Sequence, residues 1–366
     1  MLQSLQLKDF RCFSDVTFEL GNSLVLIEGL NGAGKTSFLE ALHYACYVRS
    51  FRAFTPRDMI RFGAQSFFVK VVTENDTLVC GFTQGKRIAR LNQQKITSHE
   101  EIKPFFTVVT ITEDDLELVK NEPEKRRAFL DHVVCLLDPS LHVLYKQYKI
   151  VLDHRNALLH TAYDSSFSEE ELVVWTEKAW LLSKKIEGER KKILHSIQQQ
   201  IDTLLQKTLS LSHTIILSYQ SKQHEHAIHT INDWDTFKLV WKKQFYADEI
   251  RFKRTLFGIH LDDILIHFCD KPARFYSSRG QQKLIVVLIK IALLTLLIEQ
   301  GISLSAITLM LDDFMTDFDH TIARKCIELC TNMGVQCIIS SPAVDAKSFD
   351  TQLLINKGAL RISLSN

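Results

Sequence analysis

The sequence has almost no net charge, because 44 lysine and arginine residues are balanced by 43 aspartate and glutamate residues to give +1. A surface that is neutral as a whole does not attract a polyanion through its overall field. Binding of that kind would need a local cluster of basic side chains. The hydrophobic content of 46% is ordinary for a protein with a buried core, and 366 residues allow two domains or one domain with an insertion.

The eight cysteines lack the paired spacing of a zinc site or a disulfide framework. The closest pair, Cys326 and Cys330, would share a helix face and has no second ligand pair nearby. Scattered thiols are typical of small buried hydrophobes in a reducing cytosol. The first ten residues, MLQSLQLKDF, alternate like a strand and lack the apolar core of a signal peptide. We therefore expect a cytoplasmic protein.

The chain also lacks an uninterrupted hydrophobic run long enough to cross a bilayer. The most apolar segment, residues 284–298, contains Lys290 near its middle and is flanked by Lys283 and Glu299. A membrane-spanning helix needs about 20 residues with few or no charges. We expect this segment to be a helix buried in a large domain, and we expect no membrane partner.

Hydrophobic periodicity divides the chain into three parts. Residues 1–112 have strand-like patterns around one amphipathic helix, whereas residues 113–235 have a largely helical pattern. Residues 236–366 return to apolar strands around the buried helix. We therefore predict an α/β fold, in which an ATPase head is built from both chain ends and a helical second domain is inserted between them.

Individual elements follow from the same patterns. We predict strands at 2–20 (a hairpin), 23–29, 262–268 and in ITLMLDD and VQCIISS, a helix at 36–48, and an antiparallel sheet within 66–111. A stripe of apolar residues between Leu182 and Leu204 predicts one arm of a short antiparallel helix pair.

The strongest motif is GLNGAGKT, which matches G-x-x-x-x-G-K-[ST] and lies between an apolar strand and an amphipathic helix. Glycines let successive backbone N–H groups surround a phosphate, and the helix N-terminus adds partial positive charge. We expect Lys35 to reach the β- and γ-phosphates and the Thr36 hydroxyl to ligate magnesium. The predicted ATP-binding residues are Gly29, Leu30, Asn31, Gly32, Ala33, Gly34, Lys35 and Thr36.

A second carboxylate for the metal follows an apolar strand in ITLMLDD, residues 307–313. Asp312 is expected to hold the Mg²⁺ shell, and Asp313 lies where an acid can polarise the attacking water. Lys35, Asp312 and Asp313 are therefore the predicted catalytic residues, and Thr36 and Asp312 the predicted metal ligands.

A polar turn, SSRGQQKL, leads directly into the buried helix. Ser278 at an N-cap, Gly280 without a Cβ and free N–H groups near Gln281 would make a second anion site. Two heads facing each other would use both sites, each turn closing on the γ-phosphate bound by its partner. The alternative is an ordinary helix N-cap.

Together GLNGAGKT, SSRGQQKL, LMLDD and TDFD (316–319) resemble the Walker A, signature, Walker B and D-loop motifs of ABC-type ATPases. Within that group the chain resembles the RecF family of bacterial recombinational repair proteins, nearly end to end. A transporter ATPase has no counterpart of RRAFLD or HRNALL. The segments that resemble the family, in the same order, are LKDFRCF, YVRSFR, ITEDDLELVKNEPEKRRAFLD, YKQYKIVLDHRNALL and GIHLDD.

By position, the resemblance assigns Asp319 to the D-loop and Arg11 to the N-terminal sheet near the nucleotide. It also implies that Ser340 or Ser341 replaces the switch histidine of transporters. The chain departs from the family at Leu30, where an acid is frequent, and in TDFD, which replaces a serine-led D-loop. In GIHLDD, isoleucine and leucine stand where the family usually has proline and arginine.

The resemblance implies an ATP-dependent DNA-binding protein that acts at gaps and stalled replication forks with RecO and RecR. ATP would close a homodimer on single-stranded, gapped or duplex DNA, and slow, weakly DNA-stimulated hydrolysis would release it. Two basic runs, residues 184–192 and 241–254, either contact DNA phosphates or form solvated helix faces.

Other readings remain. A transporter ATPase subunit would have a switch histidine and a different middle, an SMC-like protein would need hundreds of coiled-coil residues, and a P-loop kinase would leave SSRGQQ unexplained. A RecF-like scaffold that binds nucleotide with little hydrolysis, or an unrelated ABC-type ATPase subunit, stays open.

Overall fold

The chain forms two compact units in this computed structural model. Unit 1 comprises Met1–Leu116 and Arg279–Asn366, and unit 2 comprises Glu117–Ser278. The first unit is therefore built from both chain ends, and the second is one continuous insertion. The structure describes residues 1–21, 23–96, 101–165, 167–209, 213–221, 231–313, 320–342, 351–356 and 358–363.

The described elements have the following bounds. The strands are β1 (Leu2–Phe10), β2 (Phe13–Glu19), β3 (Leu24–Glu28), β4 (Phe67–Thr73), β5 (Thr77–Thr83), β6 (Lys86–Leu91), β7 (Gln94–Lys95), β8 (Thr107–Ile111), β9 (Ile215–Gln220), β10 (Asp263–Phe268), β11 (Lys271–Pro272), β12 (Ile307–Leu311), β13 (Gln336–Ser341), β14 (Thr351–Asn356) and β15 (Ala359–Ser363). The helices are α1 (Lys35–Tyr47), α2 (Glu117–Lys120), α3 (Pro123–Leu137), α4 (His142–His160), α5 (Glu169–Thr203), α6 (Trp234–Gln244), α7 (Tyr246–Phe252), α8 (Ala273–Tyr276), α9 (Arg279–Glu299) and α10 (His320–Asn332).

The central sheet of unit 1 has the order β15-β14-β3-β13-β12-β8, and all its neighbours are parallel except β14 and β15. All five residues of β12 and all five of β8 are buried, as expected for parallel strands covered on both faces. Helices α1 and α9 pack against β8, and α10 packs against β13. The predicted α/β class is confirmed.

A second sheet in unit 1 is antiparallel and has the order β2-β1-β4-β5-β6-β7. Its first hairpin and the helix α1 lie where the periodicity predicted them. The prediction was wrong for Thr107–Ile111, which was assigned to this sheet and instead pairs with β12 in the parallel sheet. Because every residue of this strand is apolar or threonine, it fits a position that is buried on both sides.

Helix α9 is the most apolar helix of unit 1. It spans 21 residues and is therefore longer than the apolar run 284–298. By length and composition alone it could cross a membrane. However, 78% of its most apolar stretch is buried within the protein. Lys290, near its middle, pairs with Asp115 at 2.8 Å. Both features are typical of a core helix in a globular domain.

Unit 2 extends further along the chain than the sequence predicted. The first boundary lies at 116/117, close to the predicted 112/113, but the second lies at 278/279 and not at 235/236. Residues 236–278 belong to the insertion because their apolar side chains complete its core. Phe237 and Trp241 of α6 and Phe257 form one hydrophobic cluster with Trp180 of α5.

The long helix of unit 2, α5, begins with a well-formed N-terminus. Ser168 accepts a hydrogen bond from the Glu171 backbone N–H, and three glutamates occupy the first turn, where they complement the helix dipole. Helix α4 packs along α5, and the predicted stripe contributes the buried side chains of Ile186, Ile197 and Ile201. The described part of unit 2 also holds the small antiparallel sheet β11-β10-β9.

Segments that resemble the RecF family form ion pairs inside unit 2. In RRAFLD, Arg126 binds the Asp263 carboxylate through two nitrogens at 2.8 and 2.9 Å, and Asp131 is bound in the same way by Arg190 at 2.7 and 2.8 Å. Arg127 donates to the Asp262 backbone carbonyl at 2.7 Å. These residues of RRAFLD and GIHLDD therefore hold the insertion together, whatever else they do.

The arginine of HRNALL is fully buried. Arg155 forms a two-nitrogen pair with Glu249, also fully buried, and donates further hydrogen bonds to Thr176 and Thr255 at 3.0 and 2.8 Å. Its guanidinium lies 4.8 Å from the Phe257 ring centroid. The Glu249 carboxylate also accepts hydrogen bonds from Trp241 and from the Leu256 backbone. A buried charge pair is stable only when its hydrogen bonds are satisfied in this way.

Candidate nucleotide site

The topology of the central sheet brings the predicted motifs to one edge. The strand before the P-loop, β3, pairs in parallel with β13, and β13 pairs in parallel with β12. The carboxyl ends of these strands therefore lie side by side, and in open α/β sheets this edge is where ligands bind. The P-loop, the aspartates after β12 and the two serines at the end of β13 meet there.

The P-loop glycines are required by local geometry. Gly34 has a φ of +120°, and a Cβ there would lie 2.8 Å from the Cys12 sulfur. A Cβ on Gly29 would lie 2.5 Å from the Ile355 carbonyl oxygen. The loop is thus enclosed by protein on both sides, and its backbone N–H groups precede the N-terminus of α1.

Lys35 is buried within this loop. Its ammonium donates a hydrogen bond to the Gly29 carbonyl at 2.8 Å and lies 4.0 Å from an Asp313 carboxylate oxygen. Only 5% of the residue is exposed, so its charge is held inside the loop by fixed oxygens. A phosphate placed in the loop would meet a cation that is already oriented.

Asp312 lies at the end of β12 in a network of hydroxyl groups. Its carboxylate accepts a hydrogen bond from the Ser340 hydroxyl at 2.6 Å and another from the Thr36 side chain. Burial raises the pKa of this carboxyl group above its usual value, and the hydrogen bonds from Ser340 and Thr36 oppose that shift. The predicted magnesium ligands, Thr36 and Asp312, are therefore in direct contact.

Asp313 has a strained backbone. Its φ is +42°, uncommon for a residue with a side chain, and such conformations concentrate at functional sites. Two contacts stabilise it: its N–H donates to the Ser340 hydroxyl at 3.0 Å, and its carbonyl accepts from Lys283 at 2.9 Å. In this backbone conformation, an Asp313 carboxylate oxygen lies 4.0 Å from the Lys35 ammonium.

Ser341 follows Ser340 on β13 and is completely buried. Its hydroxyl makes no hydrogen bond to any described residue. A buried polar atom without a partner is costly, so its presence needs an explanation. A water or ligand at the end of β13 would supply the missing partner.

The oxygen donors suit magnesium. Mg²⁺ usually takes one or two protein oxygens and completes its shell with water and substrate phosphates. Thr36 and Asp312 supply this kind of incomplete set, beside a loop that would hold the phosphates. No cluster of three or more His, Cys, Asp or Glu side chains arranged for a metal occurs among the described residues.

Arg11, which was predicted to lie near the nucleotide, contacts other protein groups in the structure. Its guanidinium forms two hydrogen bonds to Glu40 of α1, at 2.8 and 2.7 Å, and one to the Asp58 carbonyl at 2.6 Å. Glu40, which is fully buried and paired with Arg11, was not predicted. The pair ties the β1–β2 turn to the helix that follows the P-loop, and a direct contact of Arg11 with nucleotide stays a prediction.

The signature-like turn begins α9 as predicted. Ser278 is exposed and immediately precedes the helix, while Gly280 and Gln281 lie in its first turn. Lys283, two residues after Gln281, links this helix to the Asp313 carbonyl, a contact that was not predicted. Its signal was a lysine immediately before the apolar run of the helix. Asp319 and the rest of the predicted D-loop lie outside the described residues.

The two basic runs differ in how far intramolecular contacts occupy their cations. In residues 184–192, Arg190 pairs with Asp131, Lys191 with Glu187 and Lys192 with Glu189. In residues 241–254, Lys242 pairs with Glu169, whereas Lys243, Arg251 and Arg254 are exposed and form no ion pair with a described residue. The contacts of the first run favour a structured helix face, and contact of either run with DNA stays a prediction.

The fold and the site define a P-loop ATPase head of the ABC type. The family model for the AAA domain matches residues 4–233. The RecF protein of Prosthecochloris aestuarii, described as a DNA replication and repair protein, is 26% identical over 97% of each chain. That of Chlorobaculum parvum is 28% identical over 93% of each chain. The chain belongs to the AAA domain family and is similar to RecF proteins over nearly its whole length.

Solved structures agree on the fold. The recombination mediator protein RecF with ATP, from the RecFOR pathway, superposes with a TM-score of 0.82 at 23% identity, over 99% of this chain and 97% of that chain. An SMC head domain from Pyrococcus furiosus superposes with a TM-score of 0.55 at 15% identity, over 100% of this chain and 96% of that chain. These likenesses confirm the ATPase head architecture.

Proposed function

We propose that this chain is an ATP- and Mg²⁺-dependent DNA-binding protein of recombinational repair and replication-fork maintenance. The observation that carries the proposal is the contact network of Lys35, Thr36, Asp312, Asp313 and Ser340 at one sheet edge. Curated RecF proteins that align over nearly the whole chain are described as DNA replication and repair proteins, which supports the DNA part.

Each residue of the site has a distinct task. The P-loop amides and Lys35 bind the phosphates, while Thr36 and Asp312 hold Mg²⁺, which neutralises the charge that develops on them. Asp313 orients the attacking water, and Ser340 fixes both aspartates. Ser341, the next residue of β13, has a hydroxyl that makes no hydrogen bond to a described residue and is the other candidate for the switch position. Hydrolysis by this set would be slow, because the described site contains no histidine.

ATP would close two copies of the chain into a homodimer on DNA. The turn around Ser278, Gly280 and Gln281 precedes an apolar helix and would complete the partner's nucleotide site. Gapped or single-stranded DNA is the expected ligand, and proteins of the RecO and RecR type are the expected partners. The cytoplasm is the expected location.

The experiment that tests this proposal is the solution mass of the protein with Mg²⁺ and ATP, with and without DNA. Wild type should be dimeric only with ATP. Lys35→Met should bind no nucleotide and stay monomeric. Ser278→Arg should bind nucleotide and yet stay monomeric, because the substitution blocks only the surface offered to the partner.

A matched variant separates binding from hydrolysis. Asp313→Asn removes the group that orients water while leaving Thr36 and Asp312 in place, so it should dimerise with ATP and fail to dissociate. If Ser278→Arg dimerises like wild type, the turn is only a helix cap and the closed dimer is wrong. If wild type hydrolyses ATP no faster than Asp313→Asn, the chain is a nucleotide-binding scaffold.

A further inference from the structure

Two phenylalanine side chains in unit 1 are completely exposed. Phe54 and Phe62 are 100% and 101% exposed, although aromatic residues usually bury most of their surface. A single exposed apolar residue needs no explanation, but two such rings lie eight positions apart in one short segment. This segment, residues 52–62, follows α1 and is called the aromatic loop below.

The aromatic loop is held rigidly. Residues 56–59 form one turn of 3₁₀-helix, and the Asp58 carboxylate accepts hydrogen bonds from the Thr55 backbone and hydroxyl at 2.9 and 3.1 Å. The loop is also fixed to the carboxyl end of β1. The Arg11 backbone N–H donates to the Met59 carbonyl, and the Arg61 backbone N–H donates to the Asp9 carbonyl, both at 2.8 Å. The exposure of the two rings is therefore part of the fold.

The loop is strongly basic. Arg52, Arg57 and Arg61 are exposed in it, and its one acidic residue, Asp58, is engaged by Thr55. Arg52 and Arg57 form no ion pair with a described residue, and Arg61 lies 3.7 Å from Asp9. In a chain whose net charge is only +1, this is a local cluster of the kind that polyanion binding requires.

A neighbouring hairpin extends the basic surface. The loop and the β5–β6 turn together line a groove of about 500 Å³, to which Arg57 and Ile60 contribute from one side and Gln84 and Gly85 from the other. Directly after this turn, Lys86 and Arg87 are exposed on β6 and form no ion pair with a described residue. The groove is therefore flanked by cations on both sides.

We propose that the aromatic loop and the β5–β6 turn bind the unpaired strand of DNA. Arg57, Lys86 and Arg87 would contact backbone phosphates along the groove, and Phe54 and Phe62 would stack on bases. Stacking needs exposed ring faces on the protein and unstacked bases on the DNA, and the bases of a duplex are already stacked. It contributes about 1–3 kcal/mol per base in single-strand-binding proteins. The inference rests on the proposed function and names the surface by which the protein would recognise the unpaired strand of a gap.

The test is fluorescence anisotropy with a labelled oligothymidylate of about 30 nucleotides and a blunt duplex of matched length, with Mg²⁺ and ATP. The double variant Phe54→Ala, Phe62→Ala should bind the single strand at least about tenfold more weakly and the duplex almost unchanged. The double variant Arg57→Glu, Arg87→Glu should weaken both and should reduce the salt dependence of binding.

Matched controls come from elsewhere in unit 1. Phe105→Ala removes a ring that is 40% exposed, and Arg324→Glu reverses an arginine that is 82% exposed on α10. Both controls should bind DNA like wild type. Nucleotide binding and the ATP-dependent solution mass should be unchanged in all variants, because none of these residues contacts the P-loop or the paired aspartates within the described structure.

The outcomes separate this inference from the proposed function. If wild type binds DNA and the aromatic double variant binds the single strand equally well, the inference is wrong and the function stands. If the aromatic double variant loses ATP-dependent dimerisation, the rings belong to a protein interface and the inference is also wrong. If wild type binds neither DNA, the proposed function itself is wrong.

Discussion

The Ser340 hydroxyl donates a hydrogen bond to Asp312 at 2.6 Å and accepts one from the Asp313 N–H at 3.0 Å. One small side chain thus orients both the predicted metal ligand, Asp312, and Asp313, the residue predicted to position water. Such support of a metal ligand by a second residue typically changes metal affinity by about 10- to 100-fold. We therefore expect the two serines at the end of β13 to have separable roles.

We expect Ser340→Ala to weaken Mg²⁺ binding in the presence of ATP by about tenfold. Without the hydroxyl, the Asp312 carboxylate loses a donor that lowers its pKa, so the charged form that binds Mg²⁺ is less favoured. The control, Ser341→Ala, should leave Mg²⁺ affinity unchanged and slow only hydrolysis. Magnesium titration followed by ATP turnover checks both, and equal effects of the two variants would refute separate roles.

Asp312→Asn should abolish hydrolysis without destabilising the nucleotide-free protein. Burial raises the pKa of this carboxyl group, which means that folding disfavours its charge. A neutral amide of the same shape removes that cost, so the thermal midpoint without ligand should equal or exceed that of wild type. Wild type should gain stability from Mg²⁺ and ATP, and the variant should not. A lower midpoint for the ligand-free variant would contradict the argument.

Arg155→Met should destabilise unit 2 by about 3–5 kcal/mol, because it leaves the Glu249 carboxylate buried without its cation. Urea unfolding monitored by tryptophan fluorescence would measure the loss, since Trp241 contacts Glu249 directly. Adding Glu249→Gln to the first substitution should recover part of it. A single variant as stable as wild type would mean that the pair contributes nothing.

Stability should fall as the solution is acidified from neutral pH, partly because of His260. Burial lowers the pKa of this imidazole to about 4, and nearby arginines act in the same direction. Its unfolded pKa is about 6.5, so the stabilisation is complete above that value and is lost as pH falls from about 6.5 towards 4. Between pH 7.5 and 5, the loss due to this group should be about 2 kcal/mol.

His260→Gln provides the comparison, because glutamine keeps a polar side chain near the Tyr148 hydroxyl, which lies 2.7 Å from the imidazole Nδ1. The variant should lose less stability than wild type over the same pH interval, as measured by urea unfolding at both ends. Identical pH dependence in the two proteins would show that His260 does not titrate between them.

The nucleotide site was the part of the molecule most accessible from sequence. The P-loop and the strand with two terminal acids carry their chemistry in consecutive residues, so local patterns were enough to locate Lys35, Thr36, Asp312 and Asp313. The resemblance to the RecF family supplied the serines after VQCII. Lys283 and Glu40 were missed because their roles depend on partners that are about 30 residues distant in the chain.

The second domain boundary was placed wrongly for a related reason. The break near residue 235 follows a change from a helical to a mixed pattern, yet Trp241 and Phe257 complete a core that begins with side chains of α4 and α5. Strand periodicity likewise could not distinguish which sheet Thr107–Ile111 would join, since its partner lies some 200 residues later in the chain. Long-range pairing is invisible to local patterns.

The strand order of the central sheet has a consequence during synthesis. When a ribosome has delivered residues 1–278, unit 2 is complete, but only β3 and β8 of the described central sheet exist, and they are not neighbours. Both must wait for strands from residues 307–356, with their apolar faces unpaired. The insertion can therefore fold early, whereas the P-loop gains its flanking strands only when the final part of the chain emerges. A truncated product would carry GLNGAGKT and yet have no sheet edge on which to display it.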